Sequence, residues 1–467
     1  QFDIDFKLAK RIWSKFYDDA FDICQNNPYQ LITSVRGFNF DLADKIGNRN
    51  PALLNSDIRI SAVIDDMFQS YYSSSNVWME FDQFYQKLQS RLQIGDEILQ
   101  SVIQQKQLAQ DIVIVSDNLD NQWITQAYLS DCECRIMDGI QELCSMAPII
   151  DIQPQKAVEW VINRLSIQLS PDQVAALEGL LSDPVTILYG GPGTGKTTLL
   201  RAYVEIVAKK TTKIICMAPT GKAAKRLAEQ VGRRASTIHS LMDYDEKEHL
   251  LTPKPLDCDI CIVDEMSMVD MFLFQDILTM VSAGVRLVLV GDPDQLPSIG
   301  PGQVFYDLIN QSQIASFQLH TNHRQVNQRG IVTLAQMILK REPIYTPLGD
   351  DISLLSEQNP DVLEQKINQL FLTTAPNQHQ LSIHDIQLLV PLHKGRFGID
   401  QVNRNIAQQI RPIELRSERW AVGDRVMQCR NNYTKRVMNG DIGLIHAIKP
   451  NEIVIRFDHR LIDYEYT

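Results

Sequence analysis

Residues 190–197 read Gly-Gly-Pro-Gly-Thr-Gly-Lys-Thr, and they constrain the possible folds of this chain more than any other segment. They match the phosphate-loop pattern GxxxxGK[ST]. The apolar run Val185–Tyr189 precedes them and a helix-forming stretch follows, which predicts a strand, a loop and a helix in that order. Glycines let backbone N–H groups surround phosphates, and a helix N-terminus attracts the anion. The segment therefore predicts an α/β domain that binds ATP.

Residues in and before this loop have predicted roles in binding ATP and Mg²⁺. Lys196 is expected to reach the β- and γ-phosphates, and the Thr197 hydroxyl is expected to ligate Mg²⁺. Residues 170–173, Ser-Pro-Asp-Gln, predict a capped helix start, and the alternative role of Gln173 is to contact the adenine edge. The predicted ATP-binding residues are Gln173, Gly190, Gly191, Pro192, Gly193, Thr194, Gly195, Lys196, Thr197 and Thr198.

Polar residues follow two later strand-like runs, Ile260–Val263 and Val285–Val290. After the first, Asp264 is expected to hold Mg²⁺ together with Thr197, and Glu265 to polarise the attacking water. After the second, Gln295 is a predicted sensor of the γ-phosphate if the two strands are neighbours. An ordinary turn rich in proline, glycine and aspartate is the other interpretation of this segment. The predicted catalytic residues are Lys196, Glu265, Gln295 and Arg324.

Arg324 belongs to a second predicted α/β block. Over residues 151–318, short apolar runs such as Lys213–Met217 alternate with amphipathic ones, which predicts a parallel sheet covered by helices. The second block covers residues 319–414, with Gln387–Val390 as its clearest strand. Arg324 could complete the ATP site from there as an arginine finger. A lone arginine is usually a surface residue, so this assignment depends on its context.

The two ends of the chain predict different kinds of secondary structure. Residues 1–150 predict mostly helices, with a short strand near Ile112–Val115. The similar segments Leu8–Ile12 and Leu42–Ile46 fit either helix–turn–helix units that seat a DNA backbone or an ordinary helical bundle. From residue 415, short strands separated by turns predict a small β module, and these strands are Arg425–Gln428, Leu444–Ile448 and Ile453–Phe457.

Charge is distributed unevenly along the chain. The net charge is −12, but residues 1–150 hold 12 basic and 21 acidic residues, so the other 317 residues, with 33 against 36, carry only −3. Residues 222–234 contain five basic side chains, including Lys222 and Lys225, against the single acid Glu229. This helix predicts a contact with a phosphate backbone, and a solvated face is the alternative.

The sequence argues against a membrane or disulfide-rich protein. It has no run of about 18 apolar residues and no signal-peptide pattern at its start, so a cytoplasmic location is expected. The eight cysteines are scattered, which is typical of reduced thiols. Cys258 and Cys261 lie in an apolar, strand-like run, where residues three positions apart point to opposite faces of the sheet. They are therefore predicted to be small core residues and not a pair of metal ligands.

Together these segments resemble the RecD-like DNA helicases of superfamily 1, in the form with a long N-terminal extension. The matching stretches are Gly190–Thr197, Ala218–Ala224, Ser236–His239, Val263–Met268, Gly291–Val304, Asn322–Gln325, Val390–Gly395, Arg430–Tyr433 and Asn439–Gly443, with Asn27–Tyr29 and Gly37–Phe38 near the start. The resemblance implies an α/β fold with two RecA-like, parallel-sheet P-loop motor domains, a helical N-terminal region and a small SH3-like β insertion.

The resemblance also implies domain limits, partners and DNA contacts. The implied domains are a helix-hairpin-helix-like domain (1–80), a mostly helical linker (81–150), motor domain 1A (151–318) with a pin hairpin at about 240–256, an incomplete motor domain 2A (319–414) and the SH3-like insertion (415–467). The implied protein uses ATP and Mg²⁺, translocates 5′→3′ on single-stranded DNA, acts at single-strand/duplex junctions in repair or recombination, and is a monomer without a membrane partner. The residues implied to bind DNA are Pro219, Thr220, Gly221, Thr237 and His239, and the charge pattern adds Lys222 and Lys225 to the predicted set.

The sequence departs from this family at both ends. The family's His-Lys-Ser-Gln-Gly-type and Thr-Arg-Ala-Arg-type motifs do not occur before Thr467, and no glycine-rich hairpin precedes Leu8. We therefore expect a truncated chain that is a poor motor by itself. Two other readings remain open: an ATP-switched DNA-binding module that does not translocate, and an RNA helicase.

Overall fold

Contacts divide the chain into two compact units. The first comprises Gln1–Pro192, Lys196–Pro219 and Ile238–His320, and the second comprises Gly193–Gly195, Thr220–Thr237 and Thr321–Thr467. The computed structural model describes residues 4–72, 75–245, 250–320, 329–344, 349, 351–411, 419–429, 432, 434–435 and 437–465. In this part of the chain, no helix is both long and apolar enough to cross a membrane.

The N-terminal part of the chain is mostly helical, as predicted. Its helices are α1 (Phe6–Phe16), α2 (Ala20–Asn26), α3 (Gln30–Ser34), α4 (Phe40–Gly47), α5 (Asp57–Tyr72), α6 (Phe81–Leu92), α7 (Asp96–Leu108), α8 (Ala127–Ser145) and α9 (Pro154–Leu165). Three strands form an antiparallel sheet in the order β1-β3-β2, namely β1 (Met79–Glu80), β2 (Ile112–Ser116) and β3 (Gln122–Gln126). The predicted strand near Ile112–Val115 is β2, whereas β1 and β3 were not predicted.

The middle of the chain alternates strands and helices. In order, these are α10 (Pro171–Ser182), β4 (Val185–Tyr189), α11 (Lys196–Val207), β5 (Ile214–Ala218), α12 (Gly221–Val231), β6 (Ala235–Thr237), β7 (Asp243–Asp245), β8 (Leu250–Thr252), β9 (Ile260–Val263), α13 (Met271–Met280), β10 (Arg286–Gly291), α14 (Val304–Ile309) and β11 (Ala315–Gln318). Strands β4 and β9 have the predicted bounds, and β5 and β10 begin and end one residue later than predicted.

Five strands of the first unit form a parallel sheet in the order β11-β4-β10-β9-β5. All residues of β9 and β10 are buried, as is β4 up to Leu188. Burial on both faces explains why these strands are nearly continuous apolar runs. Cys258 and Cys261 are buried free thiols, as predicted.

The N-terminal helices and this sheet belong to the same unit. Helix α8 packs on α13, where the Tyr128 and Phe272 rings stack with centroids 6.0 Å apart. The Cys132 thiol donates to the Met271 carbonyl oxygen at 3.6 Å. The helical region is therefore anchored to α13, the helix that follows β9.

The rest of the second unit begins with helices and ends with a β module. Its further helices are α15 (Arg329–Leu339), α16 (Pro360–Gln369), α17 (Ala375–His379) and α18 (Ile399–Ile410). Four antiparallel strands follow in the order β12-β13-β14-β15, and these are β12 (Arg425–Met427), β13 (Ile442–Lys449), β14 (Glu452–Phe457) and β15 (Arg460–Glu465). The first three correspond to the predicted strands, and β15 was not predicted.

The prediction of a strand at Gln387–Val390 is wrong. The described residues between 329 and 411 contain helices and no strand, so they form no second parallel sheet. A strand needs a neighbour to satisfy its backbone groups. Here a side chain, the Arg425 guanidinium, donates to the Ile386 carbonyl oxygen at 3.1 Å, and Leu389 is 85% exposed. The local apolar pattern was right, but it has no partner strand.

Candidate nucleotide site and nucleic-acid surface

The phosphate loop joins β4 to α11, in the predicted strand–loop–helix context. Lys196 is the first residue of α11, and its ammonium donates to the carbonyl oxygens of Gly190 and, at 3.0 Å, of Gly191. Gly193 and Gly195 have φ of 84° and 91°, a region that glycine adopts without the Cβ clash of other residues. The loop therefore has the backbone freedom and the cation needed to surround phosphates.

The order of the strands brings the predicted site residues to one edge of the sheet. Strand β10 lies between β4 and β9, and all three are parallel. The phosphate loop, Asp264-Glu265 and Asp292 thus all follow carboxyl ends of neighbouring strands, where open α/β sheets bind ligands. The condition attached to Gln295, that its strand neighbours the others, is met.

Asp264 is a half-buried carboxylate at this edge. Burial raises its pKa to about 6, although the Glu265 N–H and the Lys196 charge act in the opposite direction. The Glu265 amide donates to Asp264 Oδ1 at 2.9 Å. Glu265 itself has φ of 57°, a left-handed conformation that costs a non-glycine residue about 1–2 kcal/mol. Such strain is common at functional sites, which supports the role predicted for this pair.

The oxygen donors present here fit Mg²⁺. The Thr197 hydroxyl and the Asp264 carboxylate are the hard ligands that Mg²⁺ prefers, and a cation would offset the cost of burying Asp264. Among the described residues, no group of three His, Cys, Asp or Glu side chains could hold a metal ion. In a usual Mg²⁺ site, water and substrate phosphates supply most ligands.

Gln295 lies on an exposed loop between β10 and α14. The loop starts at Asp292, which is buried. The Asp292 carbonyl oxygen accepts a hydrogen bond from the Gln295 amide at 3.2 Å, and its carboxylate accepts one from the Asp294 amide at 3.1 Å. At its far end, the Ser75 hydroxyl donates to the Ser298 carbonyl oxygen at 2.7 Å, and the Ser75 carbonyl accepts from the Gly302 amide at 3.1 Å. The helical N-terminal region therefore helps to hold the loop that carries Gln295.

Ser75 is a residue that the sequence did not single out. It is 2% exposed, has φ of 62° and lies 223 positions from its partner Ser298. A lone serine in a turn has no pattern that would reveal such a contact.

Gln173 lies in a helix cap. Its side-chain oxygen accepts from the Ser170 amide at 3.1 Å, and both halves of the capping box are present at the start of α10. The capping interpretation is therefore confirmed, and the adenine contact of this buried side chain stays a prediction.

The residues predicted to bind DNA differ in exposure. Thr220 caps α12, accepting from the Ala223 amide at 3.2 Å, and Lys222 and Lys225 on that helix are exposed. Lys225 forms an ion pair of 2.6 Å with Asp458, which raises the pKa of the lysine. The Thr237 side chain is buried, and Pro219, Gly221 and His239 are half-buried.

Two predictions concern residues at the limits of the described chain. Arg324 lies outside the described residues. The predicted pin range contains the antiparallel pair β7–β8, in which Asp243 faces Thr252, while residues 246–249 between these strands are outside the described part. The role of this hairpin stays a prediction.

A parallel sheet with this loop after β4 defines a P-loop nucleotide-binding protein. Three family models match the chain: an AAA domain at residues 168–344, the SH3 domain of ATP-dependent RecD-like DNA helicases at 400–457, and the helix-hairpin-helix domain of ATP-dependent RecD2 DNA helicases at 1–76. Over these three regions the chain is similar to RecD-like DNA helicases.

Curated relatives agree with this similarity. The ATP-dependent RecD2 DNA helicase of Deinococcus radiodurans is 30% identical over 316 residues, which cover 65% of this chain and 42% of the relative. The RecBCD enzyme subunit RecD of Mycolicibacterium smegmatis is 29% identical over 348 residues, which cover 66% of this chain and 63% of the relative. The chain thus spans less than two thirds of the length of either relative.

Among solved structures, the Pif1 helicase from Bacteroides in complex with ADP-AlF3 and single-stranded DNA is 20% identical and aligns with a TM-score of 0.34. The alignment covers 64% of this chain and 75% of that chain. The similarity to RecD-like helicases is therefore one of sequence, because a TM-score this low adds no argument.

Proposed function

We propose that this chain binds ATP with Mg²⁺ and is part of an ATP-dependent DNA helicase that moves 5′→3′ on single-stranded DNA. The observation that carries the proposal is the phosphate loop beside Asp264-Glu265 at one sheet edge of a RecD-like chain. The similarity to an ATP-dependent DNA helicase and to a RecBCD enzyme subunit supports DNA as the substrate and repair or recombination as the setting.

Each side chain of the site has a proposed task. Lys196 exchanges its loop carbonyls for the β- and γ-phosphate oxygens of ATP. Thr197 and Asp264 hold Mg²⁺, which when bound neutralises charge on those oxygens. Glu265 orients and deprotonates the water that attacks the γ-phosphorus, and Gln295 contacts the γ-phosphate. Arg324 would stabilise the transition-state charge, and Gln173 would contact the adenine.

The DNA contacts are proposed on α12 and the segments beside it. The exposed Lys222 and Lys225 supply charge for the phosphate backbone, and the segments around Thr220 and His239 supply hydroxyl, imidazole and backbone groups. The β7–β8 hairpin is proposed to split strands at a single-strand/duplex junction. The chain is proposed to act as a monomer.

Lys196→Ala tests the nucleotide site. We expect it to abolish ATP hydrolysis while single-stranded DNA binding stays measurable, since the lysine acts on phosphate charge that develops in the reaction. Hydrolysis is measured by phosphate release, and DNA binding by fluorescence anisotropy. Equal loss of both activities would show that Lys196 is structural and would contradict its proposed task.

Lys213→Ala is the matched control for this variant. Lys213 directly precedes β5, at the opposite edge of the same sheet, and forms an exposed ion pair of 2.6 Å with Asp257. Exposed ion pairs contribute little to stability, so this variant should hydrolyse ATP like the wild type. Duplexes with a 5′ or a 3′ single-stranded tail then test direction, and unwinding that requires a 3′ tail would refute 5′→3′ movement.

A further inference from the structure

An open cavity of about 620 Å³ lies in the second unit, beside the β module. Its lining includes Arg425 of β12, Arg456 of β14, and Asp458 and His459 in the turn before β15. His384 faces it from a turn that precedes α18, and the first residues of β13 form its apolar floor. Four side chains that can carry positive charge therefore surround one cavity with a single carboxylate.

Sheet register explains how the two arginines come together. Leu444 of β13 faces Arg425 on one neighbouring strand and Arg456 on the other. Residues that are register partners point to the same face of a sheet, and neighbouring strands are about 4.8 Å apart. The two guanidinium groups thus stand on either side of Leu444, roughly two strand spacings apart at their backbones.

Among the described residues, the positive charges in this cavity have little acidic counterpart. Arg425 donates to two neutral oxygens, Ile386 O at 3.1 Å and Gln387 Oε1 at 3.0 Å. In the described part of the chain, the Arg456 side chain has no hydrogen-bond or ion-pair partner. Asp458 is engaged by Lys225 at 2.6 Å, and this contact lowers the pKa of the carboxyl. Two guanidinium groups on one face, with the nearby carboxylate already paired, favour an added anion.

We propose that this cavity binds a phosphate group of a single-stranded DNA backbone. Guanidinium groups bind phosphate oxygens in a bidentate manner, and an apolar floor suits the sugar beside the phosphate. Lys225, one of the residues proposed to contact DNA, borders the cavity through Asp458. The inference rests on the proposed function, because it assigns a second contact to the same DNA strand.

Arg456→Ala tests this site. Affinity for a fluorescent oligothymidylate is measured by anisotropy over a series of salt concentrations. The loss of one contact on single-stranded DNA should lower the slope of log K against log salt by about 0.7, which is roughly fivefold in affinity at about 0.1 M salt. Lys449→Ala is the control, because Lys449 ends β13 away from the cavity and pairs with Glu452. It also removes one positive charge and should leave the slope unchanged.

The possible results separate this site from the proposed function. An unchanged slope for Arg456→Ala with normal DNA binding by the wild type overturns the site and leaves the helicase proposal standing. No DNA binding by the wild type contradicts the helicase proposal itself. Inorganic phosphate titrated against the wild type and Arg456→Ala distinguishes a site for free phosphate from a site for the DNA backbone. A loss of phosphate binding without a change in DNA affinity also overturns the proposal.

A second variant covers a failure of Arg456→Ala to fold, which far-UV circular dichroism would reveal. Arg456→Lys keeps the positive charge but loses the planar pair of donors. It should retain the salt slope and still bind DNA more weakly than the wild type. An affinity equal to that of the wild type would overturn bidentate binding at this position.

Discussion

At the scale of single residues, Asp44 shows how the N-terminal helices are held together. Arg59 donates to both carboxylate oxygens of Asp44, at 2.8 and 3.2 Å, and the Tyr29 hydroxyl donates at 2.8 Å. Burial raises the pKa of Asp44, but the bonds from Arg59 and Tyr29 outweigh it and leave the pKa below its ordinary value. The cluster ties α4 to α5 and to the residue before α3.

Asp44→Asn should destabilise the helical region at neutral pH by about 2 kcal/mol, because a charged hydrogen-bond acceptor is lost. The folded pKa of Asp44 lies below the unfolded value of about 4. The stabilisation by the ionised carboxylate is therefore complete above that value and is lost as pH falls through the folded pKa. Urea unfolding followed by circular dichroism should show a constant difference from wild type between about pH 7 and about pH 5, and a shrinking difference below about pH 4.

Asp66→Asn is the control for this prediction. Asp66 also lies on α5, and its 2.6 Å ion pair with Arg91 is more exposed. Its loss should cost less than about 1 kcal/mol. A difference between Asp44→Asn and wild type that stays constant with pH would contradict the argument.

At the scale of elements, Gly179 sets how closely α10 approaches β11. A Cβ built at this position would lie 2.0 Å from Cζ and 2.3 Å from Cε2 of the Phe317 ring. This contact explains a glycine inside a helix, where alanine is intrinsically better by about 1 kcal/mol. Strand β11 is the neighbour of β4, so the packing of α10 supports the strand that leads into the phosphate loop.

Gly179→Ala should destabilise the chain by about 1–3 kcal/mol despite its better helix propensity, because the Phe317 ring must move. Gly95→Ala is the control, since nothing lies within 4 Å of a Cβ built there, and it should change stability by about 1 kcal/mol or less. Thermal unfolding compares the two variants. If Phe317→Leu fails to restore part of the stability of Gly179→Ala, the steric explanation is wrong.

At the scale of the whole molecule, the question is how ATP hydrolysis is coupled to DNA. A translocating motor hydrolyses ATP at each step, so its rate should rise with the length of single-stranded DNA until the rate reaches a plateau. An ATP-switched binding module has no such dependence. We expect the length dependence for the helicase of which this chain is proposed to be part, and a rate that is stimulated equally by all lengths would favour the switch. Matched RNA strands measure whether RNA replaces DNA.

Much of the nucleotide site could be predicted from the sequence. Its main parts are short, continuous segments, namely the phosphate loop, β4, and Asp264-Glu265 after β9. The chemistry and the burial of such segments can be inferred from consecutive residues. A strand buried on both faces must be a continuous apolar run, and a phosphate loop needs glycines at fixed positions. Such local requirements are visible without knowing what the rest of the chain does.

Only the tertiary structure decided which distant residues meet. It placed β10 between β4 and β9, Ser75 on the loop that carries Gln295, and Leu444 between two arginines. It also left Gln387–Val390 without a neighbouring strand. The physical reason is that an apolar pattern reports how a segment is buried, whereas strand pairing and long-range hydrogen bonds depend on partners that the segment does not encode.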